Sequence, residues 1–89
     1  MKVLKFGAVW CTGCIVMKPR WQDLEKQNSW IKTEYYDYDE REDLVKKYKV
    51  GDKIPVFIWL DKKGNELERK VGEYKKEELL EICQKYKDK

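Results

Sequence analysis

Eighty-nine residues with 42% hydrophobic and 13% aromatic content are enough for one folded domain, residues 1–89, and argue against disorder. Lys+Arg 20 and Asp+Glu 17 nearly cancel to a net charge of +3, spread along the chain as a solvated surface and not gathered into a nucleic-acid platform. No apolar run approaches the roughly 20 residues that span a bilayer, and Met1 to Phe6 lacks the apolar stretch of a secretory signal, so the expectation is a cytoplasmic protein that binds neither nucleic acid nor membrane.

Val3 to Val9 is apolar and β-leaning, interrupted only by Lys5 and Gly7, and predicts a buried strand. Trp10-Cys11-Thr12-Gly13-Cys14 follows at once. The pattern then turns helical through Ile15, Met17, Trp21, Leu24 and Asn28, with Pro19 inside as an expected kink. Trp30 to Asp39 is aromatic and partly alternating, which predicts a second strand. Asp39 or Glu40 opens a short helix that turns Leu44, Val45 and Tyr48 inward. Val50 to Lys53 is a loop leading into Ile54-Pro55, and Val56 to Leu60 is a third strand. Asp61 to Asn65 makes a hairpin turn with Gly64 at positive φ. Glu66 to Val71 returns as a charged strand near a sheet edge, and Gly72 ends it. A last helix from about Lys75 sets Leu79, Ile82, Cys83 and Tyr86 on one face. The order β-α-β-α-β-β-α, free of repeats and linkers, predicts one α/β domain.

Three cysteines cannot close a disulfide framework, and with no histidine a four-ligand Cys/His zinc site cannot be completed in one chain. Cys11 and Cys14 sit two residues apart at a strand-to-helix junction. Disulfide exchange needs an exposed thiolate and a second thiol close enough to resolve the mixed disulfide. The first sulfur would lie over unpaired helical N–H groups, which favour its thiolate; the second would lie one turn on and be less exposed. Attack is therefore assigned to Cys11 and resolution to Cys14. Two other uses of the pair stay open: a reduced core pair, and a metal or iron–sulfur half-site completed by a second chain. Cys83, on the apolar face of the last helix, reads as a buried core thiol.

Phe6-Gly7-Ala8-Val9-Trp10-Cys11-Thr12-Gly13-Cys14, with Pro19 five residues later, resembles the active-site stretch of the thioredoxin family. The resemblance continues through Ile54-Pro55, the Gly64 turn and Val71-Gly72, covering nearly the whole chain, with the family's first strand and helix missing. It implies a thioredoxin-like fold: a central four-stranded mixed sheet flanked by helices. It further implies that Trp10 shapes the docking surface and that Pro55 is a cis-proline against the dithiol. Ile54 would offer its backbone to an extended substrate, and Gly72 would border the substrate groove.

Three positions depart from the family pattern. Lys5 stands where the family has a buried Asp; it reads as a snorkelling lysine with no catalytic part, and if buried near the dithiol its charge would tune the pair by favouring thiolates. Thr12-Gly13 replaces the usual Gly-Pro, and the loop before Ile54 is one residue longer, bringing Asp52-Lys53 near the site. The expected function is a monomeric thiol–disulfide oxidoreductase acting on protein disulfides. It would need no metal or cofactor beyond its own dithiol. A thioredoxin-reductase-like or membrane electron donor would recharge it. The competing reading is a non-catalytic thioredoxin-like binding module with an incidental dithiol.

Overall fold

A computed structural model describes all 89 residues, Met1–Lys89. Its elements are β1 (Lys2–Gly7), α1 (Thr12–Gln27), β2 (Lys32–Asp37), α2 (Glu42–Lys47), β3 (Val56–Leu60), β4 (Glu66–Val71) and α3 (Lys76–Lys85). The four strands form one mixed sheet in the order β2-β1-β3-β4. β1 runs parallel to β2 and antiparallel to β3, and β3 is antiparallel to β4. The architecture is the expected thioredoxin-like α/β sheet with flanking helices.

Side-chain alternation divides the interior into two cores, one on each face of the sheet. Val3 of β1 and Phe57 and Trp59 of β3 join Met17, Trp21 and Leu24 of α1 and Leu79 and Cys83 of α3. Leu4 and Phe6 with Val56, Ile58 and Leu60 form the other core, against which Leu44 and Val45 of α2 pack. Both faces of β3 are covered, so all five of its residues are buried, which explains its unbroken apolar sequence. β4 lies at the edge, where its charges reach solvent; Arg69 ties it to α2 by donating to the Tyr48 carbonyl at 2.6 Å.

Several boundaries differ from the sequence expectation. β1 ends at Gly7 and not at Val9, because Ala8 to Trp10 turn, with Cys11 N–H donating to the Ala8 carbonyl at 3.2 Å. β2 begins at Lys32, since Ile31 N–H closes a turn onto the Asn28 carbonyl at 3.0 Å. It stops at Asp37, whose carboxylate accepts the backbone N–H groups of Asp39 at 2.9 Å and Glu40 at 3.2 Å. That turn uses up the two residues expected to open α2, so Arg41 holds the N-cap position and Glu42 begins the helix. Ile15 was expected on the core face of α1, yet it is 62% exposed. It lies one turn into α1, on the side away from Met17, Trp21 and Leu24, which carry the buried face. Gly64 takes φ +87° in the hairpin, as its sequence context anticipates.

Candidate active site

The local geometry begins with the cap of α1. Cys11 has extended backbone angles (φ −91°, ψ 114°) and is the N-cap residue. Its sulfur accepts the Cys14 N–H at 3.2 Å, taking the place an Asp or Ser oxygen fills at most helix starts. The same thiol donates to the Ile54 carbonyl at 3.5 Å. The Ile54-Pro55 bond is cis, and Pro55 is buried. Gly72, at φ +102°, donates its N–H to the Pro55 carbonyl at 2.8 Å. Close approach explains Gly13 as well: a Cβ there would stand 3.1 Å from Pro55 Cδ. Cys11, Cys14, Ile54, Pro55 and Gly72 are thus linked through a short chain of contacts.

Both site cysteines are free thiols. Cys14 is pushed up to about 12, first by burial, then by its hydrogen bond with Cys11 and by the charge on that neighbour. Exposure runs opposite to the sequence expectation. Cys11 is only 6% exposed, while Cys14 is half-buried. The reason is the Ile54-Pro55 segment lying over the first sulfur and a gap lying beside the second. That gap is a cavity of about 540 Å³ bounded by Cys14, Gly7, Tyr35 and Trp21, among others.

Trp10 stands 60% exposed beside the dithiol, and its indole N–H donates to the Asp39 carboxylate at 2.6 Å. Lys5 is mostly covered; its ammonium pairs with Glu25 at 3.4 Å and lies 5.7 Å from the centre of the Trp21 ring. Lys5 borders the same cavity as Cys14. Glu25 also accepts a hydrogen bond from the Thr33 hydroxyl. Cys83 is fully buried in the α1–α3 core, where burial pushes its thiol up and the Trp59 indole N–H donates to it at 3.4 Å.

Sequence reasoning did not anticipate Asp39, Glu25, Tyr35 or the cavity beside Cys14. Asp39 lies 29 residues from Trp10, and nothing local marks the pairing. Gly7 did carry a signal: a glycine inside a buried strand often marks a close approach. Here it faces Cys14, whose sulfur would lie 3.1 Å from a Gly7 Cβ.

A family model described as Thioredoxin matches residues 1–87. Thioredoxin H5 of Oryza sativa subsp. japonica is 37% identical over 70 residues, which are 79% of this chain and 50% of that protein. Thioredoxin H7 of Arabidopsis thaliana is 31% identical over 85 residues, 96% of this chain and 64% of that protein. The chain therefore spans only 50% and 64% of the length of these relatives. The crystal structure of thioredoxin NaTrxh from Nicotiana alata is similar with a TM-score of 0.86 at 33% identity, covering 96% of this chain and 71% of that one.

Proposed function

The chain belongs to the thioredoxin family, and from that premise we propose that it is a thiol–disulfide oxidoreductase exchanging its Cys11–Cys14 pair with disulfides of protein partners. One observation carries the reading: Cys11 caps α1, its sulfur held by the Cys14 N–H at 3.2 Å beside the Ile54 carbonyl. A thiolate formed there meets the positive end of a helix and the Cys14 N–H that already bonds its sulfur, which is how this chemistry is usually promoted.

In the forward direction, the Cys11 thiolate attacks a substrate disulfide and releases one substrate thiolate. Cys14 then attacks the Cys11 sulfur, releases the second, and leaves a Cys11–Cys14 disulfide. A thiol pushed up to about 12 suits the second role, since Cys14 stays protonated until the mixed disulfide has formed. Trp10, Ile54, Pro55 and Gly72 would form the docking groove, with the Ile54 backbone pairing to an extended segment. Lys5 would act on the dithiol at one remove, because Glu25 already engages its ammonium. The dithiol carries both electrons, so no cofactor is needed. A thioredoxin-reductase-like donor would return them, and the cytoplasm is the natural setting for a dithiol kept reduced.

Dithiothreitol-driven reduction of insulin tests the reading. Wild type should precipitate the insulin B chain, and Cys11→Ser should fall to the uncatalysed rate. A wild-type rate equal to that of Cys11→Ser would leave a binding module with an idle dithiol.

A further inference from the structure

Glu73 follows Gly72 at the edge of the groove, and the exchange scheme gives it no part. Its backbone is fixed on both sides. Gly72 N–H donates to the Pro55 carbonyl at 2.8 Å, and Tyr74 N–H donates to Met17 Sδ at 3.4 Å. The Arg20 guanidinium donates to the Tyr74 carbonyl at 2.7 Å, which ties the same segment to α1. Met17 is itself buried, so the segment is anchored to the core. From that anchored backbone the Glu73 side chain lies over the start of α1. A Cβ built on Gly13 would stand 3.5 Å from Glu73 Cγ and 3.7 Å from its Oε2. The same Cβ would stand 3.1 Å from Pro55 Cδ, so one residue of the dithiol loop meets both the groove proline and Glu73.

The Glu73 carboxylate is exposed and pairs with no lysine or arginine of the chain. Lys18, Lys53 and Lys75, in the adjoining segments, are exposed and leave it free. Asp39 differs, because its carboxylate already accepts the Trp10 indole N–H at 2.6 Å. A charge held in place by its backbone loses little freedom when a partner docks, and complementary charge at a docking site decides which partner is accepted.

Building on the dithiol-exchange reading, we propose that Glu73 selects protein disulfides whose cysteine is flanked by lysine or arginine. Gly13 lies between Cys11 and Cys14, so a carboxylate over it faces the neighbours of the attacked sulfur. An ammonium or guanidinium there is attracted, and a carboxylate there is repelled. The chain as a whole would select the other way, since its net charge of +3 draws acidic partners. A preference for basic segments is therefore a local signature of Glu73.

The test uses two extended peptides that differ only beside one cysteine, flanked by lysines in one and by glutamates in the other. Each cysteine carries a thiopyridyl group in disulfide linkage, whose release by the reduced protein is followed by absorbance. The readout is the basic-to-acidic ratio of rate constants, each first divided by that peptide's rate with dithiothreitol. A general change in dithiol reactivity moves both peptides alike and leaves this ratio alone. At low salt the wild-type ratio should be about five, the upper end for one exposed charge pair. Glu73→Gln should bring it towards one, and Glu73→Lys should invert it. In 1 M salt the wild-type ratio should shrink, because screening acts within about 3 Å. A wild-type ratio at or below one overturns the proposal, needs no variant, and leaves dithiol exchange standing. A ratio that Glu73→Gln or 1 M salt leaves unchanged overturns it equally. If neither peptide reacts faster with wild type than with Cys11→Ser, exchange itself fails and the proposal falls with it.

Discussion

Cys14 is the residue whose chemistry the fold alters most. Burial and Cys11 raise its thiol from an ordinary 9.0 to about 12. A thiol held above its unfolded value favours the native state while it is protonated. That contribution is complete below about pH 9 and is lost as the pH climbs through the folded value near 12. Reduced wild type should therefore lose stability in urea faster than Cys14→Ala as the pH is taken from 9 towards 12. Parallel pH profiles for the two proteins would show that the site does not hold the thiol neutral. Lys5 illustrates the opposite case, because Glu25 holds its ammonium and the Trp21 ring lies beneath it.

At the scale of elements, turns made the difference between expected and observed boundaries. A single carboxylate, Asp37, gathers two backbone N–H groups and so ends β2 and delays α2. Asp61 acts alike in the β3–β4 hairpin, accepting from Lys63 N–H at 2.9 Å and Asn65 N–H at 2.8 Å. The turn completes itself at Gly64, where φ is +87° and no atom would crowd a Cβ. Any cost of substitution there is a backbone cost alone. Gly64→Ala should lower stability by about 1 kcal/mol, and Gly64→Asn by less, since Asn tolerates the left-handed region. Equal losses in chemical denaturation would mean that the hairpin relaxes to another turn.

The molecule as a whole is two cores separated by one sheet. Ile58 belongs to the α2 side and Leu79 to the α1–α3 side, and each is fully buried. Either one replaced by Ala should cost about 2–5 kcal/mol, the range for emptying a well-packed site. Because the two side chains share no cluster, the double variant should match the sum of the single losses within about 0.5 kcal/mol. A larger departure would show that the sheet transmits repacking from one face to the other. The exposed rim follows the same division: Val9, Trp10 and Ile15 lie outside both cores, at the dithiol end of the sheet.

Periodicity and punctuation made most of the fold legible in the residues themselves. The continuous apolar run Val56 to Leu60 between a proline and a turn reads as a strand, and Leu79 with Cys83 reads as one stripe of a helix, as observed. The Cys11-x-x-Cys14 spacing at a strand-to-helix junction likewise carries its own chemistry, because helix starts leave donors unpaired whatever surrounds them. Contacts between distant segments lay beyond that reach. Which cysteine is more covered depends on where Ile54-Pro55 crosses the start of α1, 43 residues away in sequence. The pairings of Trp10 with Asp39 and of Lys5 with Glu25, and the close packing of Cys14 and Tyr35 against Gly7, arise only when strands and helices are set side by side. Local sequence dictates hydrogen bonding and periodicity within an element; exposure, pairing and cavities belong to the packing between elements, which tertiary structure alone decides.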